Sequence, residues 1–288
     1  MRKLLLFTII LLTLSNKTLA QKKKIIAITA FESADSSIPQ SYIKAIENKV
    51  IAAFNKTGRF ILVDRTNMNR VMQEKELQKS EEFMDGKRVS QDKMQGAEAI
   101  VTGIISGVTY SSSTMQDGSK SYNATINLSL RVIDVETGQV LANDVIYAEQ
   151  SFGGALLSTV VKTNPTKEKA FYRALNGLTK SIDKFVNKRF PLTTGIVQIT
   201  DAKGGKARKV LLNLGESLGI RKGNYLKVME LKNIKVGNKT LVRKIEIGKL
   251  KVERVEGDEL SEAKVIKGGK EILAKFNAGA KIACYSYK

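Results

Sequence analysis

A chain of 288 residues, 42% of them apolar, is long enough for two separate cores. It has no histidine, which removes the commonest general base and metal ligand, and its single cysteine, Cys284, excludes an intramolecular disulfide or a thiolate cluster. The formal net charge of +20 is uneven, with 22 Lys+Arg against 10 Asp+Glu in residues 189–288 but 23 against 18 in residues 21–188, so the basic end is the one expected to meet anionic surfaces or acidic proteins.

Arg2 and Lys3 precede an apolar run from Leu4 to Leu14, and Thr18-Leu19-Ala20 ends in small residues before Gln21. This is the layout of a cleaved export signal over residues 1–20, too short to span a bilayer as a helix. A periplasmic location, at or near the outer membrane, follows as the expectation.

Ile25-Ile26-Ala27-Ile28 reads as the first strand, and Glu32 to Pro39 as a polar loop. Ser41 is placed to cap a helix with Ile43, Ile46, Val50 and Phe54 on one face, closed by Thr57-Gly58. The continuous apolar run Phe60 to Val63 predicts a core strand buried on both faces, parallel to the first through a crossover. Asp64-Arg65-Thr66-Asn67 then offers acceptors for a helix start, with Met68, Val71, Met72 and Leu77 as its inward face to about Ser80. Glu81 to Gly86 is a polar loop, Val89 to Gln95 a short helix, and Ala99 to Val108 a strand. From Asn123 to Val135 the pattern alternates, with Ala124, Ile126, Leu128, Leu130 and Val132 on one face. Glu136-Thr137-Gly138 turns the chain into Gln139 to Ala148. Asn164-Pro165 opens a last helix with Pro at its first position and a stripe of Ala170, Phe171, Ala174, Leu175, Leu178, Ile182 and Phe185; Phe190-Pro191 marks a boundary.

Beyond Thr194 the texture becomes short β-rich segments with glycines: residues 195–199, 209–214, 225–229, 246–252 and 263–266. Their spacing predicts a small barrel. The fold expectation is therefore an α+β domain, a mixed sheet with helices, over residues 21–188, and a small all-β barrel over residues 189–288. Lys203-Gly204-Gly205-Lys206 and Lys267-Gly268-Gly269-Lys270 look like phosphate cradles but lack the phosphate-loop spacing ahead of a helix, so both read as hairpin turns. Glu81-Glu82 and Asp85 lack an ordered calcium-loop pattern. No catalytic, cofactor-binding or metal residue is assigned, and no enzyme reading remains. Cys284 reads as a small buried residue.

Four segments, taken in order, carry a resemblance: Val63 to Asn67, Lys75 to Ser80, Gly96 to Gly103, and Arg131 to Leu141. Together they resemble the CsgG family, the curli production assembly/transport component and its relatives, over about residues 24–186. Leu214 to Asn224, with Gly248 and Val252 to Val255, resembles the C-terminal domain of the FlgT flagellar protein, a small β-barrel, over about residues 194–283. The resemblance implies a cell-envelope protein serving a surface-structure assembly or export apparatus, with no cofactor. Channel members of the family carry a cysteine for lipid attachment where this chain has Gln21, and two long hairpins where it has about Ser111 to Tyr122 and Gln150 to Thr163.

Two readings stand. One is a docking component whose barrel presents a basic face to envelope partners, through Arg208, Lys209, Arg221, Lys222, Arg243 and Lys244; contact with an anionic wall or membrane surface and homo-oligomerisation fit it as well. The alternative is an outer-membrane secretion channel of the curli type. Nucleic acid is not expected as a partner, because the chain reads as exported and no basic motif is interleaved with aromatics along the sequence.

Overall fold

The computed structural model describes residues 22–65, 67–79, 96–149 and 164–287. The predicted export signal, Thr66, the predicted loop from Glu81 to Gly86, the predicted helix from Val89 to Gln95 and the segment from Gln150 to Thr163 lie outside these residues.

In the first half, β1 (Lys24–Ile28) and the two-residue β2 (Glu32–Ser33) lead into α1 (Gln40–Thr57). Next come β3 (Phe60–Asp64), α2 (Met68–Lys79), β4 (Ala99–Thr114), β5 (Lys120–Asp134), β6 (Val140–Glu149) and α3 (Lys167–Arg189). The strands form one mixed sheet in the order β3-β1-β4-β5-β6, with β2 also on β4. β1 is parallel to both β3 and β4, while β4, β5 and β6 form an antiparallel meander. The crossover from β1 through α1 to β3 is the one the apolar spacing predicts.

Alternation fixes the core. Ala124, Ile126, Leu128, Leu130 and Val132 of β5 are all buried, because a period of two puts them on one face of the pleat. Helices α1 and α3 pack against each other and cover that face. The predicted stripes, Ile43, Ile46, Val50 and Phe54 on α1 and Ala170 to Phe185 on α3, are buried. Phe54, Phe60, Phe185 and Phe190 then gather at the C-terminal ends of both helices, with Phe60 and Phe190 edge to face at 5.5 Å.

The structure corrects four expectations here. β3 is the edge of the sheet, with Ile61 exposed and Leu62 and Val63 half-buried, and the strand buried on consecutive positions is β1, at Ile26, Ala27 and Ile28. An unbroken apolar run does not distinguish an edge from a centre. Asp64 does accept the Asn67 N–H at 3.0 Å to start α2, but Val71, Met72 and Leu77 are exposed rather than inward. Pro39, not Ser41, occupies the start of α1, and Thr166 rather than Asn164-Pro165 caps α3, its hydroxyl accepting the Lys169 N–H.

In the second half come β7 (Thr193–Thr194), β8 (Ile196–Lys203), β9 (Lys206–Leu212), a 3-10 turn at Glu216–Leu218, β10 (Tyr225–Val236), β11 (Lys239–Glu256), β12 (Leu260–Lys267), α4 (Gly269–Asn277) and β13 (Ile282–Ser286). They form a seven-stranded antiparallel sheet in the order β7-β13-β10-β11-β12-β9-β8. Its two ends are consecutive in the chain, separated only by Gly195. The sheet therefore curls into a half-barrel around Val210, Leu212, Leu226, Val228, Leu250, Val252 and Cys284. Burial pushes the Cys284 thiol up to about 12. Lys203-Gly204-Gly205-Lys206 is the predicted hairpin turn. The Gly268-Gly269 segment is instead the start of α4, Gly268 sitting at φ +80 against the Ile247 carbonyl, so the hairpin expectation fails there.

The halves meet at the end of α1. Arg221 of the second half donates from its guanidinium to the Lys56 carbonyl, and Gly219 (φ +78) lies against the Thr57 carbonyl, where a Cβ would come within 1.9 Å. Beside it, Arg59 donates to the Phe190 carbonyl at 2.9 Å and to the Asn187 amide oxygen; burial, helped by the nearby Arg221 and opposed by Asp183, draws its pKa down to about 10. Two guanidiniums thus satisfy carbonyls at two helix C-termini, where the dipole favours a cation.

Candidate functional site

Strands β10 and β11 outrun their neighbours. β13 pairs with β10 only over Leu226 to Glu230, and β12 pairs with β11 only from Lys249 onward. Apart from the Leu231 N–H, which donates to the Lys281 carbonyl at the base, residues 231–244 consequently pair only with each other, as a two-stranded arm closed by a two-residue Gly237-Asn238 turn with Gly237 at φ +58. The arm holds Lys232, Lys235, Lys239, Arg243 and Lys244 and no carboxylate. Its apolar residues Ile234, Val236, Leu241 and Val242 are exposed.

Register assigns the faces, since directly opposed residues of an antiparallel pair share one. Lys232 opposes Arg243, Ile234 opposes Leu241, and Val236 opposes Lys239, giving an apolar cluster bounded by cations at both ends. The other face carries Lys244, Val242 and Lys235 and is continuous with the outer face of the sheet. That outer face bears Tyr225 and Lys227 of β10, Lys249 and Lys251 of β11, and Tyr285 of β13 followed by Tyr287. Each ring has an ammonium over it: Lys251 over Tyr225 at 5.6 Å, Lys227 and Lys249 over Tyr287 at 5.7 and 5.8 Å, and Lys244 over Tyr285 at 4.5 Å. Glu246, paired with Lys227 at 3.2 Å, is held below its usual pKa by that lysine. The arrangement is a half-buried tyrosine–lysine surface running on into a cationic, partly apolar arm. It has the composition of a docking surface, since tyrosines are enriched at interfaces and cations steer an acidic partner.

The six cations singled out from sequence do not form one site. Arg208 pairs with Asp201 at 3.7 Å. Lys209 is held by Glu262 at 3.0 Å and Glu253 at 3.6 Å, which raise its pKa, chiefly through the Glu262 hydrogen bond. Arg221 is engaged at the joint between the halves, while Lys222 beside it is exposed. Arg243 and Lys244 both lie on the arm but on opposite faces. Adjacent residues of a strand point apart, so sequence neighbours there do not make a patch. The signal that identifies the surface is the i, i+2 spacing of Tyr225 with Lys227, Lys249 with Lys251 and Tyr285 with Tyr287. The fold assembles an aromatic-interleaved basic surface that the linear sequence does not display.

Residues 10–152 match the family described as curli production assembly/transport component CsgG. The chain belongs to the CsgG family through this segment. Among curated proteins, none matches the sequence. Two solved structures similar to this CsgG-family chain are the PelC dodecamer from Paraburkholderia phytofirmans (11% identity, 57% of this chain and 88% of that one, TM-score 0.32) and lipoprotein GNA1162 from Neisseria meningitidis (10% identity, 57% and 99%, TM-score 0.29). Likeness at these scores carries no conclusion about function.

Proposed function

We propose that this CsgG-family chain is a non-enzymatic docking component of a surface-structure assembly or export apparatus in the periplasm. Its first sheet supplies the family fold, and its second half, a FlgT-like module on this reading, presents the tyrosine–lysine surface and arm to an acidic face of an envelope partner. The observation that carries the reading is the arm, which has five cations, four exposed apolar side chains and no carboxylate, and which extends past every neighbouring strand. The β4–β5 hairpin supports an accessory rather than a pore-lining part. Past Thr125, the last β6 partner among the described residues, it continues only to the Thr114–Lys120 pair, with Ser111 to Thr114 all exposed and polar, whereas a spanning strand needs about 9–11 residues with apolar side chains facing lipid.

Site-specific photo-crosslinking in intact cells tests this. A crosslinker at Val242 or Tyr285 should capture one common envelope protein, and the same group at Val140, exposed on the first sheet, should not. Capture of that protein from Val140 alone would move docking to the first half and overturn the proposal.

A further inference from the structure

The two Lys-Gly-Gly-Lys segments, 64 residues apart in sequence, converge. Lys203 and Lys206 flank the β8–β9 turn, Lys267 ends β12, and Lys270 lies in the first turn of α4; with Arg208 and Lys264 they line one open groove of about 720 Å³. Gly269 is what lets the segments touch, since a Cβ there would come within 2.5 Å of the Ala207 carbonyl oxygen and 3.4 Å of the Lys206 Cβ. The glycines are thus explained by packing and by positive φ at Gly204, Gly205 and Gly268.

The lysines are not. Lys203 and Lys206 are direct cross-strand partners, and like charges placed opposite one another destabilise a sheet. Among the described residues, Lys203, Lys206, Lys264, Lys267 and Lys270 make no ion pair; Arg208 has Asp201, and Glu271 is the one carboxylate in the lining. A local rule broken without compensation inside the fold points to a ligand that compensates it. The volume is that of a small-molecule site. Ammonium groups outnumber guanidiniums five to one in the lining, which suits a multiply charged phosphate met by point charges better than carboxylates, whose planar recognition favours arginine forks.

We infer that this groove binds a compact phosphate polyanion, either free or as a lipid headgroup. The inference stands apart from the docking proposal, because it uses neither the arm nor the tyrosine–lysine surface.

The test uses the full chain with inorganic triphosphate followed by calorimetry, and phosphatidylcholine vesicles with and without phosphatidic acid followed by co-sedimentation. Lys206→Gln/Lys267→Gln/Lys270→Gln should weaken triphosphate binding about tenfold or more, while the arm variant Lys235→Gln/Lys239→Gln leaves it unchanged. Phosphate-31 line broadening with single Lys206→Gln or Lys270→Gln proteins gives the same answer should the triple variant fold poorly. Binding of triphosphate alone assigns a free phosphate ligand, and binding of phosphatidic acid vesicles that the groove variant abolishes assigns a headgroup. Binding of neither, equal binding of citrate, or equal loss in the arm variant would overturn the inference.

Discussion

Gly219→Ala probes the joint that sets the second half against the first. The substitution costs twice: L residues at φ +78 are strained by roughly 1–2 kcal/mol, and the new methyl would lie 1.9 Å from the Thr57 carbonyl oxygen, a backbone atom already fixed at the end of α1. Relieving that clash must move the turn and loosen the Arg221 bond to the Lys56 carbonyl, a charge-assisted bond of about 1.5–3 kcal/mol. The combined loss is about 3–4 kcal/mol, on the order of 10 °C in melting temperature for a unit of this size. Gly223→Ala is the internal control: its φ is +92, yet nothing lies within 4 Å of its Cβ position, so only the strain of about 1–2 kcal/mol applies. Calorimetric scans of both variants decide it. Equal losses at the two glycines would refute a tight contact between Gly219 and Thr57.

Leu130→Ala, at a fully buried position of β5, should cost about 2–5 kcal/mol in urea unfolding. Val63→Asp, on the half-buried edge strand, should cost only about 1–3 kcal/mol, whereas Ile26→Asp in β1 should prevent folding of the first half, as read by circular dichroism. Hydrogen bonding from Arg189, at 2.6 Å through Nε, holds the Asp144 carboxyl below its usual range, so the pair contributes stability above the unfolded carboxylate pKa of about 3.9 and loses it as pH falls toward the folded value. Asp144→Asn should therefore be less stable than the parent at pH 7 and converge with it in acid, by urea unfolding at each pH. With its thiol pushed up to about 12 and no exposure, Cys284 should resist iodoacetamide at pH 8 until the chain is unfolded, read by mass spectrometry. Residues 191–288, expressed alone, should fold as a β-rich unit, since α3 ends at Arg189, Phe190 packs on the first core and Leu192 belongs to the second.

Elements with one buried face were legible in the sequence. The alternation of β5 and the stripes of α1 and α3 repeat at the period of their own secondary structure, and local periodicity is all that a single sequence displays. Position within a sheet is a non-local property, which is why Phe60 to Val63 gave no sign of lying at an edge. The arm was missed for the opposite reason: the first third of β11, from Lys239 to Lys244, carries mixed charged and apolar side chains on faces that bury nothing. The Gly268-Gly269 pair read as a hairpin because Gly-Gly fits such turns, and only the close approach of Ala207 and Ile247 shows that it starts a helix. For the candidate site, Arg243 and Lys244 were found but their partners were not. Tyr225, Tyr285 and Tyr287 come from strands separated by some sixty residues, and only the β13-β10-β11 order places them on one surface. Arg221, chosen as a surface cation, turned out to serve the joint, so reversing its charge would test packing and not docking.

Contact between the arm and an acidic partner is measured most directly by the association rate of the purified chain with its crosslinked partner across a salt series. Lys235→Glu/Lys239→Glu removes two exposed cations near the tip without touching the half-barrel core. At physiological ionic strength the Debye length is about 8 Å, so only charges close to the contact should matter. The variant should associate more slowly and with a shallower salt dependence, with dissociation little changed, as rim charges act mainly on the encounter. Identical association rates and salt slopes for the two proteins would contradict it.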